Sequence, residues 1–324
     1  MSTYIPPLKF EPILKSVVWG GEKIAPFKGI VTDQKQIGES WEISGVKGNE
    51  SIVANGPDKG LTLSQMIDKY GAELVGEKNY QTFGNTFPLL IKIIDAAGNL
   101  SLQVHPDDKL AKERHNSLGK TEMWYIVDAD EGAEICAGLS KELTPDEYVK
   151  KVEDFTIMDS VAHHQAHAGD VFFLPAGRIH AIGAGNLLVE VQETSDITYR
   201  IYDYGRVDAK TGKPRELHVE QAKDAIDYKV YPNYVSKPTF TLENIYELVT
   251  CPHFQVYLIE VNGEMKIHPS ITGFSAMTCI EGELSIKDDT GNEVKFRQGE
   301  SVLIPANLRK FSICGKGKIV DAFN

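Results

Sequence analysis

GDVFFLPAGRIH at residues 169–180 and GESVLIPANLRK at residues 299–310 share one layout: a glycine, an acid, an apolar run and Pro-Ala, all in the same register. Upstream of each copy the likeness continues. MWYIVDADEGAEI (123–135) resembles AMTCIEGELSI (276–286), each a strand-like run that enters an acidic glycine turn. Apolar runs of this length bounded by Gly, Asn and Asp read as strands. Their recurrence means that one β unit is present twice. A seam falls near 229–245, which predicts a domain over residues 1–236 and a second over 237–324.

Working outward, strands dominate: FPLLIKIID (87–95), SLQVH (101–105), EMWYIVDA (122–129) and NLLVEVQET (186–194). Helical stretches are few and short. LSQMIDKYGAELVG (62–76) has apolar residues at helical spacing, and DDKLAKERHN (107–116) starts on aspartates that suit a helix N-terminus. TPDEYVKKVEDF (144–155) opens with Thr144 as N-cap, Pro145 at the first helical position and Glu147 at the capping-box position. RELHVEQAKDAIDY (215–228) reads as a further helix or a turn-rich crossover. The fold class is mainly β, two barrel-like units with a few short helices.

The two copies differ in chemistry. Gln103 and His105 lie two apart, so on a strand they face the same side. Glu122 and His180 can join them from neighbouring strands. One amide oxygen, two imidazoles and one carboxylate form a mixed donor set suited to a divalent ion of the zinc class. In the second copy Lys310 stands where His180 stands, and Ser275 where Glu122 stands. The second unit is therefore expected to be metal-free and to serve as packing. A rival cluster, AHHQAHAGD (162–170), places His163 and His167 four apart but offers no third ligand at that spacing.

The 324 residues are 42% hydrophobic and 25% charged, the profile of a soluble globular chain of about two domains. A net charge of −12 disfavours nucleic acid as partner, because phosphate backbones select basic surfaces. A small phosphorylated ligand needs only a local basic pocket. No apolar run approaches the ~20 residues that span a bilayer, so no membrane partner is expected. MSTYIPPLKFEPILK lacks the basic start and apolar core of a secretory signal; the expected location is cytoplasmic. Cys136, Cys251, Cys279 and Cys314 are widely spaced and read as buried small residues rather than a disulfide framework. Trp19, Trp41 and Trp124 read as core or pocket-wall aromatics. No oligomer signal stands out.

GDVFFLPAGRIH resembles the second motif of the cupin superfamily, with Ala184 where that motif usually has asparagine. Gln103 replaces the first histidine of the first motif, and Glu122 follows His105 by seventeen positions. With IGESWEIS (37–44), FPLLIKIIDAAGNLSLQVHPDD (87–108), GKTEMWYI (119–126) and PAGRIHAIGAGNLLVEVQETSDITYRIYDYGR (175–206), the chain is similar to the type I mannose-6-phosphate isomerase family in its short bacterial form. The resemblance implies two cupin jelly-roll barrels and one Zn2+ per chain, held by Gln103, His105, Glu122 and His180. It implies an active-site role for Arg200, pocket positions for Lys120, Lys92, Ser101, Glu190 and Asp196, and a sugar phosphate as small-molecule substrate.

The implied reaction interconverts mannose 6-phosphate and fructose 6-phosphate through a cis-enediolate. A metal with an open position acts there as Lewis acid, and the permanently charged, donor-rich guanidinium of Arg200 can hold the same oxygens. Three proton handlers stay open: Lys120, Glu190 and a water on the metal. Lys92, Ser101 and Arg178 are the candidates for the phosphate. A non-catalytic sugar-phosphate-binding metal cupin would not need Arg200 and Lys120 beside an intact donor set. An iron oxygenase fits the basic pocket and the glutamine less well than a charged polyol does.

Overall fold

The structure is a computed structural model, and it describes residues 4–207, 212–268 and 272–324. It is mainly β, and its named strands pair antiparallel in three sheets. Two of the sheets form the first unit. One runs, in spatial order, Val235–Ser236, Val171–Leu174, Glu122–Ala129, Asn186–Glu193, Leu89–Ala96, Ile13–Gly21 and Ile37–Ser44; the other runs Tyr199–Tyr202, Leu102–Val104, His180–Ile182, Glu134–Leu139 and Val161–Gln165. Trp124, Ile126 and Leu188 of the first sheet meet Ile135, Ala137 and Ile182 of the second in one apolar cluster, so the two sheets close as a jelly-roll.

Strand alternation decides what each face does. On Glu122–Ala129, the residues Glu122, Trp124 and Ile126 point between the two sheets, whereas Met123 and Tyr125 join the cluster shared with the second unit. Leu188 and Glu190 likewise point inward while Val189 and Val191 point away. Every residue of Asn186–Glu193 and Leu89–Ala96 is buried, as expected for strands covered on both faces.

The third sheet is the second unit. Its order is Thr239–Leu242, Ile245–Thr250, Gln255–Ile267, Phe311–Phe323, Ser275–Asp288, Ser301–Ile304, then Leu8–Glu11 and Ile52–Val53. Leu8 pairs with Leu303 and Lys9 with Val302. The strand Leu8–Glu11 thus completes the C-terminal sheet, and a cut at 236/237 passes through hydrogen-bonded partners. The repeat holds at the level of register: Leu174, just before Pro175-Ala176, opposes Glu122, and Ile304, just before Pro305-Ala306, opposes Ser275.

The helices are short and capped as their sequences dictate. Thr144 and Glu147 form a reciprocal capping box on Pro145–Glu153, and Asp107 accepts from the Leu110 amide at the start of Asp108–His115. The stretch at 62–76 splits into Leu63–Tyr70 and Ala72–Val75 at Gly71, and 215–228 yields only the short helix Val219–Ala225. All four cysteines are free. Among the described residues no helix is long and apolar enough to cross a membrane.

Candidate active site

Side chains from both sheets of the first unit converge at one end of its barrel. His180 is the cross-strand partner of Gln103, and Gln103 is also the partner of Arg200. Cross-strand partners project to the same side, so these three share one face. His105 follows the strand Leu102–Val104, and Glu122 begins the facing strand. The turn after Pro175 sets the last spacing. Gly177 takes φ +90°, where a Cβ would meet the Ala225 carbonyl oxygen at 2.8 Å. Its amide donates to the His105 carbonyl at 2.9 Å, which ties the two imidazole segments together.

His180 Nε2 lies 3.1 Å from Glu122 Oε1, and His105 Nε2 lies 3.5 Å from Glu122 Oε2. One donor atom from each of the three falls within 4.8 Å of the others. Both rings are oriented from behind: His105 Nδ1 contacts the Ile197 carbonyl and His180 Nδ1 the Arg178 carbonyl, each at 2.8 Å. That tautomer leaves both Nε2 lone pairs on the side of the carboxylate, the usual arrangement of metal-ligating histidines. Trp124 backs His180 edge-on, with ring centroids 5.3 Å apart.

The electrostatics of this group suit a cation. Burial holds His105 well below its ordinary pKa and His180 down at about 3, so both rings are neutral. Burial raises Glu122 to about 7 against the opposing charge of Lys120. Both Glu122 oxygens and His180 Nε2 are buried without a hydrogen-bond partner. Lys120 Nζ stands 3.1 Å from Glu122 Oε2, close enough to share charge, and donates to His105 Nε2 at 3.1 Å. Neutral imidazoles and an unsatisfied, buried carboxylate fit a divalent ion.

A cavity of about 380 Å³ opens beside the cluster, within the size range of ligand pockets. Gln103, Lys120, Glu190 and Lys92 line it together with Trp19 and Trp41, and Ser101, Asp196, Arg200, Arg215 and His218 are among its other lining residues. Lys92 Nζ pairs with Glu190 Oε1 at 2.7 Å, and Trp124 Nε1 donates to Glu190 Oε2 at 2.8 Å. Burial alone would raise Glu190; the Lys92 and Lys120 charges overcome it and hold this carboxyl down at about 2. Lys92 is raised in return, by Glu190 and Glu39 against burial. Arg200 Nη1 donates to the Glu216 carbonyl at 3.0 Å, while its Nε is buried and unpartnered. Burial, and then the neighbouring Arg215, lower the Arg200 pKa.

Arg178 departs from its expected place. Its guanidinium lies over the rings of Tyr231 and Tyr234, 4.6 and 5.0 Å from their centroids, and its Nη1 donates to the Phe173 carbonyl. Cation–π contact favours this placement, and Arg178 is not among the residues that line the cavity. Arg215 and His218 were not expected. His218 Nδ1 accepts from the Arg200 amide at 3.2 Å, so its proton sits on Nε2. Arg215 is gripped by both oxygens of Asp203, a residue that also pairs with Arg206. The spacing Pro-Arg-x-x-His at 214–218 was the available signal. The rival histidines do not assemble: His163 lies on a strand and pairs with Glu134, and His167 pairs with Asp170.

A jelly-roll with an imidazole–carboxylate–imidazole group at one end belongs to the metal-site class of cupins. Residues 8–145 match the model of the type I phosphomannose isomerase catalytic domain, and residues 244–324 that of the mannose-6-phosphate isomerase cupin domain. The mannose-6-phosphate isomerase ManA of Bacillus subtilis is 36% identical over 97% of this chain and 98% of its own, and the mannose-6-phosphate isomerase of Streptococcus mutans is 32% identical over 97% of each. The crystal structure of the Bacillus subtilis mannose 6-phosphate isomerase superposes with a TM-score of 0.89 at 32% identity, covering 98% of this chain and 99% of that one. The chain belongs to the type I phosphomannose isomerase family, and it is an enzyme of the isomerase class.

Proposed function

We propose that this enzyme interconverts mannose 6-phosphate and fructose 6-phosphate, with one zinc ion per chain held by Gln103, His105, Glu122 and His180. The observation that carries the metal is the buried, unpartnered Glu122 carboxylate between two neutral imidazoles. When bound, the ion supplies Lewis acidity at the sugar oxygens that gain charge. The chain's own groups do the rest. Arg200, on the same face as Gln103, stabilises the cis-enediolate oxygens. Lys120 moves the proton between carbons 1 and 2, because it lines the cavity beside Glu122. Glu190, clamped by Lys92 and Trp124, is the fixed counter-charge that orients Lys92. Ser101 and Asp196 hold sugar hydroxyls.

The phosphate goes to the part of the cavity lined by Arg200 and its neighbours Arg215 and His218. Lys92 serves it less well, since two carboxylates already face its ammonium. The division of labour follows the repeat: 1–236 as the catalytic domain and 237–324 as a metal-free partner to which Leu8–Glu11 lends a strand. The setting is the cytoplasm, with neither nucleic acid nor membrane as partner.

The test is metal analysis of the purified chain together with a coupled assay for fructose 6-phosphate formed from mannose 6-phosphate. About one zinc per chain with turnover is expected. Zinc without turnover would point to a binding module instead.

A further inference from the structure

The metal-free unit reaches into the first unit at one place close to the site. His253 lies in the turn between Ile245–Thr250 and Gln255–Ile267, a turn closed by Cys251 N–H donating to the Phe254 carbonyl at 3.0 Å. Its own carbonyl accepts from Asn324 Nδ2 at 2.6 Å. From that anchored position the ring faces two carboxylates of the first unit. His253 Nδ1 is 3.0 Å from Glu193 Oε1 and 3.9 Å from Asp108 Oδ2.

Each of those carboxylates has its other oxygen on the main chain of the same short segment. Glu193 Oε2 accepts the Thr121 amide at 2.8 Å, and Asp108 Oδ1 accepts the Gly119 amide at 2.8 Å. The two amides flank Lys120, and Thr121 immediately precedes Glu122. Glu193 N–H also donates back to the Thr121 carbonyl at 3.1 Å. Side chains that lock the groups around a metal site govern its geometry as much as the ligands do. A hydrogen bond to His253, together with the charge beside it, fixes which way both carboxylates turn. Burial opposes protonation of the imidazole, but the hydrogen bond to Glu193 outweighs it and raises the His253 pKa.

We propose that His253, contributed by the unit that lacks the metal set, is a positioning residue for the Gly119–Glu122 segment, acting through Glu193 and Asp108. Its kinetic arm rests on the isomerase reading; its structural arm does not. The experiment compares His253→Leu with His253→Gln, which keeps an N–H donor, in the full metal-loaded chain. Four quantities are read: kcat and KM for mannose 6-phosphate, metal per chain, and amide hydrogen exchange. His253→Leu is expected to lower kcat about tenfold with KM within about twofold. The Gly119 and Thr121 amides should exchange at least about tenfold faster, with the Val256 and Val320 amides unchanged. His253→Gln should restore both to within about threefold.

Wild-type kcat and wild-type exchange at Gly119 and Thr121 in His253→Leu would overturn the proposal. Uniformly faster exchange throughout the second unit would do the same, since it marks a residue that only holds that unit together. Loss of a second bound ion would show that Asp108, Glu193 and His253 form a metal site instead. If the wild-type chain turns over no mannose 6-phosphate, the isomerase reading fails, and the exchange data still decide the role of His253.

Discussion

Glu190 and Asp321 occupy the same position in the two units. Each lies on the strand beside the one that starts at Glu122 or Ser275, and each opposes the residue two places further along, Trp124 or Met277. Both carboxyls are buried, yet they are driven in opposite directions. Lys92 is the cross-strand partner of Glu190, and its charge, with that of Lys120, holds that carboxyl at about 2. Tyr257 is the partner of Asp321, so burial dominates, and even with a hydrogen bond from Ser275 the carboxyl rises to about 6. The backbone frame is common to the two units. The difference teaches that cations facing a buried carboxylate separate a pocket that keeps its charge at neutral pH from one in which burial favours the neutral acid.

The sharpest way to break this comparison is to treat the first positions alike. Glu122→Gln removes the one charged donor from the metal set, and activity should fall at least about a thousandfold together with bound metal. Ser275→Ala, at the corresponding place, should leave kcat and metal content within about twofold. Metal analysis and the coupled assay check both. Next in size is Lys92→Met, which leaves Glu190 buried without its partner. Denaturant unfolding at pH 8 should show a loss of about 3–5 kcal/mol, the usual result of removing one member of a buried pair.

The smallest effect belongs to Asp321→Asn. The folded pKa of Asp321 is raised, so folding favours its protonated form. That contribution is fully present below the unfolded value of 3.8 and is lost as pH rises through about 6. Asp321→Asn should therefore stabilise the chain by about 2–3 kcal/mol at pH 8 and hardly at all at pH 3.5. Thermal unfolding at the two pH values decides it; equal gains at both would mean that folding leaves the Asp321 pKa unshifted.

Much of this was legible from residue order alone, for local reasons. Pro-Ala in register exposed the repeat because strand, turn and strand are contiguous there. Gln103 and His105 were legible as a pair because the period of a strand is two. What stayed hidden depends on contacts between distant segments. Arg178 looked free for an anion, but Tyr231 and Tyr234, some fifty residues on, take its guanidinium. Arg215 and His218 follow the last strand of the site without a strand or long helix of their own, so no periodicity marks them. His253 and Glu193 are sixty positions apart and meet only once the two units are docked. The sheet membership of Leu8–Glu11 was equally invisible, because nothing in LKFE names its partner strand.

That last pairing has a consequence in time. Leu8–Glu11 emerges from the ribosome nearly three hundred residues before Ser301–Ile304, the strand it must pair with. At the usual 5–20 residues per second the interval is roughly 15–60 s. Throughout it the first barrel can assemble, while a short strand that can pair on one edge with Ile52–Val53 keeps its other edge open. Closing the second sheet is therefore the step that clasps the two ends of the fold together. A chain interrupted before that step would hold its chemistry in a half-closed molecule exposed to aggregation.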